Sequence, residues 1–241
     1  MKEPRRAWTV SGVALVSAAI TGAAAVSLWW LPCRGQMLLG TPLDASTGSI
    51  DPTDACIARM GEGTPFPLPT TAALSVTGLL ILTVATIALV AVAWLVPVLR
   101  EPVSGIRRLV AALPGCATLG VAALAIGIAY DVPGAEAVAY PLTMVVSLLV
   151  VSGFAVLLGH VSAWRRYLVA ALALSTMGFA GPVVEYLVMA SWSELNWDAP
   201  PGSGYLTSAV LFLCGIAVSA MARTRSGAVM AEPAVPAEAG R

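Results

Sequence analysis

The sequence has very few charged residues for its length. Only 11% of its 241 residues are charged, whereas 58% are hydrophobic and the mean hydropathy is +0.86. Soluble globular domains carry about 25% charged residues. A chain with so little charge cannot cover a folded surface that faces water on all sides. The composition therefore excludes an ordinary soluble domain and indicates a membrane protein.

Other scarce features exclude particular chemistries. There is one histidine, His160, so a haem held between two histidines is excluded by number. The formal net charge is zero, and no basic excess indicates nucleic-acid binding. No motif in the sequence indicates a catalytic group, a metal or a bound cofactor. We therefore expect no cofactor and no nucleic-acid partner, and an enzyme is the less favoured class.

Cysteine is also scarce, with four residues in the chain. Cys116 and Cys214 fall inside apolar runs without a histidine or carboxylate at metal-ligand spacing, which predicts that they pack as small apolar residues. Cys33 and Cys56 share the long polar segment between the first two runs, and they are predicted to form a disulfide. Two free thiols are the alternative. With no C-x-x-C pair, a structural disulfide is favoured over a redox enzyme.

Six apolar runs are long enough to cross a bilayer, for which a helix needs about 20 residues. Helices are expected because they satisfy their own backbone hydrogen bonds in lipid. The first run is longer than the apolar region of a secretory signal peptide, so we expect it to be a retained span. The predicted spans are Ala7–Leu31, Thr70–Leu99, Leu109–Tyr130, Tyr140–Leu158, Tyr167–Met189 and Tyr205–Ala222.

The basic residues are distributed unevenly between the two sides of these spans. Of the 13 Lys and Arg residues, only Arg34 and Arg59 fall on one side. Basic loops resist translocation, so the side that carries all the others is predicted to be cytoplasmic. The sequence thus predicts a multi-pass plasma-membrane protein with both termini in the cytoplasm and the segment 32–69 outside.

These observations predict an all-α, polytopic membrane protein. Residues 1–226 would form a six-helix transmembrane bundle, with the disulfide-closed extracytoplasmic loop 32–69 between its first two helices. The Pro-, Ala- and Glu-rich tail 227–241 has little apolar surface to bury, which predicts a disordered cytoplasmic segment. In the first span Ala14, Ala18 and Gly22 recur every four residues, a spacing that predicts a face for close helix packing.

The outer segment also carries a recurring pattern. It consists of residues 29–35, which contain Trp-Leu-Pro-Cys, residues 54–60, which begin with Asp-Ala-Cys, and residues 63–67, Gly-Thr-Pro-Phe-Pro. This pattern resembles a loop of uncharacterised multi-spanning membrane proteins of high-GC Gram-positive (actinobacterial) bacteria. The resemblance covers about the first third of the chain. It implies a plasma-membrane protein with an ordered outer loop, and no particular activity.

Glu185 and Tyr186, together with Arg34 and Arg59, form the candidate functional cluster. Glu185 lies 19 positions after Arg166, about 28 Å along a helix, which is close to the outer edge of the bilayer rather than its middle. An intramembrane carboxylate is a functional-site hypothesis by default. At this depth a hydrogen bond to the outer loop, or an ion pair with Arg34 or Arg59, is the favoured role.

Three classes of function remain. The spans lack the buried polar groups that membrane chemistry requires, which favours a non-catalytic accessory or scaffold protein. Its partners would be the lipid bilayer and another membrane protein. A small-solute channel or transporter is the first alternative, supported by the six spans and by Ser and Thr residues that could line a path. An integral membrane enzyme is the second alternative.

Overall fold

The structure, a computed structural model, describes residues 3–34, 53–62, 66, 77–158, 161–192 and 201–224. Within these residues all regular structure is helical, so the all-α prediction is confirmed for them. The helices are α1 (Glu3–Trp29), α2 (Asp54–Gly61), α3 (Thr77–Arg100), α4 (Gly105–Ala129), α5 (Ala135–Leu158), α6 (Trp164–Ser175), α7 (Ala180–Trp192) and α8 (Tyr205–Thr224), with a 3₁₀ helix at Leu31–Cys33. The predictions for the tail 227–241 and for most of the loop 32–69 lie outside the described residues.

Helices α1, α3, α4, α5 and α8 are each long and apolar enough to cross a membrane. Helices α6 and α7 meet the same criterion only as a pair, and the pair is bent by 73°. The described chain therefore offers five membrane-spanning helices, or six crossings if the bent pair counts as one. This is the build of a multi-pass membrane protein. The sequence predicted one continuous helix over Tyr167–Met189, and the structure breaks it between Ser175 and Ala180.

Helix α1 lies between α3 and α8, and its small residues make this packing close. Ala14 and Ala18 are buried, as is Gly22, where an added Cβ would lie 3.0 Å from the hydroxyl oxygen of Ser208 on α8. The predicted packing face of the first span is therefore confirmed. Helix α4 packs between α3 and α5, and α6 contacts both α5 and α8.

A continuous apolar core joins α1, α3, α4, α5, α6 and α8. Its fully buried large members are Trp8, Leu15, Ile87, Trp94, Leu157, Tyr167, Leu174 and Met177. Cys214 belongs to this core, as the sequence predicted, but Cys116 is exposed on α4 and that prediction is wrong for it. The buried face of α4 passes through Ala111, Thr118 and Ala125, which leaves Cys116 on another face.

Candidate functional site

The break between α6 and α7 is fastened to α5 by hydrogen bonds from the backbone. The Phe179 amide donates to the Thr143 carbonyl over 3.1 Å, and the Ala180 amide donates to the Ser147 hydroxyl oxygen over 3.4 Å. A helix that begins inside lipid leaves its first amide N–H groups without partners, each costing several kcal/mol. Helix α5 supplies those partners, so the break is a built feature of the fold.

Two glycines make the bend sterically feasible. A Cβ on Gly178 would overlap the side chain of Ser147, and a Cβ on Gly181 would overlap the backbone of Thr176. Pro182 follows in the first turn of α7, where the missing amide hydrogen has no helical partner to lose. The sequence thus held a local signal for the break in Gly178, Gly181 and Pro182, although glycines in apolar spans more commonly serve helix packing.

The carboxylate of Glu185, on α7, caps the N-terminus of α8. Its Oε1 accepts hydrogen bonds from the Gly204 amide and, over 3.0 Å, from the Leu206 amide. Its Oε2 accepts one from the Thr207 hydroxyl over 2.6 Å. The side chain is buried, with 3% of its surface exposed. Helix N-termini present unpaired amides and a positive dipole end, so the carboxylate stabilises the start of α8.

The sequence offered two structural roles for Glu185, a hydrogen bond to the outer loop or an ion pair with an outer arginine, whereas its hydrogen bonds in the structure go to the start of α8. Within the described residues, no ion pair joins Glu185 to Arg34 or Arg59. Arg34 is exposed after the 3₁₀ helix, and Tyr186 is partly exposed on α7. No hydrogen bond in the described part of the chain connects these residues with Glu185, so the four candidates do not form one bonded cluster.

A cavity of about 140 Å³ lies beside Glu185, between α6, α7 and α8, and it is partly open. Apolar side chains from all three helices form much of its wall. The polar lining includes Ser175 and Thr176, whose hydroxyls donate to carbonyls of their own helix over 2.7 Å. The lining residues are Leu172, Ser175, Thr176, Ala180, Gly181, Val184, Glu185, Leu206, Thr207 and Val210.

At the same end of the bundle, Cys33 and Cys56 form the predicted disulfide. Both sulfur-bearing residues are buried with Trp29, Trp30, Met60, Phe66 and Leu79 in a second apolar cluster. The bond attaches α2 to the end of α1, and the aromatic side chains give this outlying helix a small core. Arg59 of α2 pairs with Glu62 over 2.6 Å and lies 4.8 Å from the centre of the Trp29 ring.

One hydrogen bond links the disulfide cluster to the Glu185 cap. The indole nitrogen of Trp30 donates to the Ser203 carbonyl over 2.8 Å, one residue before the Gly204 amide that Glu185 binds. No local pattern indicated this contact, because the two residues lie 173 positions apart. The start of α8 is therefore held from two sides, by α1 and by α7.

The opposite end of the bundle is built on three aromatic rings that sequence reasoning missed. Tyr167 lies edge-on to Trp8 and Trp94, with ring centroids 4.7 and 5.8 Å away. The Trp94 indole donates to the Ala111 carbonyl over 2.7 Å, which ties α3 to α4. The rings come from three separate apolar runs, so no local spacing indicated that they would meet.

Polar groups from the α3–α4 turn and α6 surround these rings. Arg166 donates to the Met221 carbonyl near the end of α8 over 2.7 Å and lies 5.9 Å from the Trp8 ring centre. Burial raises the pKa of Glu101, while the Tyr167 hydroxyl and the Arg166 guanidinium act to lower it. The Tyr167 hydroxyl lies beside this carboxyl without closing a hydrogen bond of good geometry.

Comparison with family models, with curated proteins and with solved structures finds no match. The resemblance of the outer segment to actinobacterial membrane proteins stays a prediction. In the described part of the chain, no three His, Cys, Asp or Glu side chains come together as a metal-binding group. The features that bear on function are therefore the helix bundle, the Glu185 cap on α8 and the adjacent cavity.

Proposed function

We propose that the protein is a non-catalytic accessory or scaffold protein of the plasma membrane. It crosses the bilayer six times, with α6 and α7 together as the fifth crossing. Both termini lie in the cytoplasm and the disulfide-bonded segment lies outside. The orientation is supported by the concentration of basic residues on one side and by the disulfide, which persists in an oxidising compartment.

The observation that carries the proposal is the use of polar groups inside the spans. The Ser11 hydroxyl donates to the Ala93 carbonyl over 2.7 Å, and Thr86 and Thr118 donate to carbonyls of their own helices. Glu185 is bound to the start of α8. The Ser11 and Glu185 bonds join neighbouring helices, whereas the two threonine bonds stay within one helix. Groups that are already bonded in either way are poorly placed to relay protons or coordinate an ion along a path.

Among the five long helices that the structure describes, α5 has the smallest share of buried residues and so offers an outward face to a partner. Only 28% of the residues in its most apolar stretch are buried, against 39 to 50% in the other four long spans. Its outward side chains include Met144, Leu148 and Val151. Interhelical contacts in membranes depend on packing rather than on hydrophobicity, so such a face accepts either lipid or another helix.

Photo-crosslinking in the native membrane tests this proposal. A benzophenone amino acid at Leu148 on α5 is compared with the same probe at Leu213 on α8, two positions that are 71% and 64% exposed. We expect the probe at Leu148 to crosslink to one discrete partner protein and the probe at Leu213 to crosslink to lipid. The same partner should then co-purify with the unmodified protein in mild detergent. Lipid adducts at both positions, together with a protein that purifies alone, would contradict the accessory role.

A transport path for a small solute is the second candidate, and the broken span with its cavity favours it. Discontinuous helices in transporters line their substrate sites. Here the break lies beside a cavity that includes a carboxylate. The test is solute flux into vesicles that contain the purified protein. Flux that Glu185→Gln abolishes would favour transport, whereas tight vesicles would favour the accessory role.

A further inference from the structure

We propose that the cavity between α6, α7 and α8 binds a small lipophilic cation, of the class of a short-chain alkylammonium ion. The ammonium group would lie against Glu185 and the alkyl chain against the apolar wall. This binding site goes beyond the accessory role and does not depend on it. Among the residues that the structure describes, Glu185 is the one ionisable side chain in the cavity lining.

The charge at the cavity favours a cation. An ionised Glu185 would bring one negative charge to the cavity, and the N-terminus of α8 contributes the equivalent of about half a positive charge. None of the described residues that line the cavity is basic, so within this part of the chain the remaining negative charge has no side-chain partner there. In an apolar setting such a charge attracts a cation more strongly than it would in water.

The carboxylate also retains capacity to accept a hydrogen bond. Its Oε1 accepts from two amides, whereas from the described residues Oε2 accepts one hydrogen bond, that of the Thr207 hydroxyl. A carboxylate offers about four lone-pair sites, two on each oxygen. An ammonium group on the cavity side of Glu185 would therefore bind Oε2 while the amide bonds to the start of α8 remain in place.

The volume and the apolar walls of the cavity indicate the size and shape of the ligand's alkyl part. A volume of about 140 Å³ is close to that of an apolar cavity of about 150 Å³ known to hold benzene, a molecule of six heavy atoms. Leu172, Val184 and Val210 provide a surface for a branched alkyl chain. Isopentylammonium, with five carbons and one nitrogen, matches both the volume and the division into a charged and an apolar end.

The location of the cavity gives such a ligand a route from the membrane. Helix α7 packs mainly against α8, and its residues Val183, Val184 and Leu187 are exposed. The cavity is partly open beside this thinly packed half-span. A lipophilic amine that partitions into the bilayer interface would therefore reach Glu185 without crossing the apolar core of the bundle.

Isothermal titration of the full-length protein in nanodiscs tests the site, with isopentylammonium chloride as the probe at pH 7. Isopentanol is the matched neutral ligand, with the same carbon skeleton. We expect the ammonium ion to bind at least 10-fold more tightly than the alcohol. Equal binding of the two ligands, or binding of neither above the level of empty nanodiscs, would overturn the proposal.

Two variants and one control locate the binding. Glu185→Gln removes the charge but keeps an oxygen that can accept hydrogen bonds from the Gly204 and Leu206 amides. It should weaken the binding of the ammonium ion at least 10-fold. Val184→Phe fills the cavity with Glu185 intact and should also abolish binding, whereas Val183→Phe, one position away and outside the lining, should not. If Glu185→Gln unfolds the protein, the Val184 and Val183 pair decides alone. Equal titrations for that pair would contradict the site.

Discussion

The two ends of the bundle are held together by different kinds of interaction. Trp29 and Trp8, on α1, belong to opposite ends, since 21 positions of helix separate them by about 32 Å. The end at Trp29 depends on the Cys33–Cys56 disulfide and on the buried carboxylate that caps α8. The end at Trp8 depends on aromatic rings packed edge-to-face and on an arginine bound to a backbone carbonyl.

The proposed orientation would place the two ends in compartments with different chemistry. A disulfide persists only where the surroundings are oxidising, whereas ring packing and guanidinium hydrogen bonds do not depend on redox state. The cystine end also has to hold α2, a helix that lies outside the spans and has only a small core. The aromatic end has no such outlying helix in the described part of the chain. The comparison predicts that the two ends respond differently to substitution, reductant and pH.

The largest effect is expected from Glu185→Ala at the cystine end. The substitution leaves the Gly204 and Leu206 amides and the Thr207 hydroxyl without their acceptor, at about 1–3 kcal/mol for each buried unsatisfied group. Unfolding in SDS mixed micelles should report a loss of about 4 kcal/mol. Tyr186→Phe, at the adjacent and partly exposed position, is the control and should change little. A loss below about 1 kcal/mol would show that the cap contributes little.

The second effect concerns the disulfide. Replacing Cys33 and Cys56 by serine together should cost about 3 kcal/mol, because the bond closes a loop across a sequence separation of 23 residues. Reductant should lower the stability of the wild type by a similar amount and leave the double variant unchanged. Cys116→Ser, at an exposed free cysteine, is the matched control. Sensitivity of the double variant to reductant would contradict this account.

A smaller effect is expected at the aromatic end. Trp94→Phe keeps a ring beside Tyr167 but removes the indole hydrogen bond to the Ala111 carbonyl, which should lower the free energy of unfolding by about 1 kcal/mol. This decrease in stability should be the same with and without reductant. Trp164→Phe, at an exposed ring, should be silent. If reductant increased the loss in Trp94→Phe, the two ends would be coupled and the comparison would fail.

The smallest effect is a pH dependence set by Glu101. Burial raises the pKa of this carboxyl in the folded protein, so the folded state holds its proton more tightly than the unfolded state. Stability should therefore fall as pH rises from the ordinary glutamate value of about 4.5 through the raised value. The side chain is only partly buried, so we expect a few tenths of a kcal/mol. Glu101→Gln should reduce the dependence of stability on pH in this range. If the dependence is unchanged in this variant, other titratable groups cause it.

The sequence predicted the features that depend on local composition. The first span was expected at Ala7–Leu31 and α1 covers Glu3–Trp29, because the length of an apolar run is read directly from the chain. The disulfide was predictable because Cys33 and Cys56 are the cysteines that share one polar segment. Exact helix ends were less predictable, since apolar residues continue past the point where the backbone leaves the helix.

The sequence did not predict the features that depend on tertiary contacts. The Glu185 cap joins residues 19 to 22 positions apart on different helices, and it needs the bend at Gly178 and Gly181 to exist. The bend in turn needs Thr143 and Ser147 of α5 to bind the exposed amides. A sequence shows each of these residues but not that they meet. The cavity lies beside the same bend, so the sequence did not predict it either.

Cysteine labelling in intact cells is the most direct test of the proposed topology. It asks whether the two ends lie on opposite sides of the membrane and whether the α6–α7 pair makes a full crossing. Arg165→Cys and Ser191→Cys, at the two ends of the α6–α7 pair, are introduced singly into a Cys116→Ser, Cys214→Ser background. We predict that a membrane-impermeant maleimide labels Ser191→Cys from outside, and labels Arg165→Cys only after permeabilisation. Labelling of both positions from the same side would make the pair a re-entrant loop and contradict the six-crossing account.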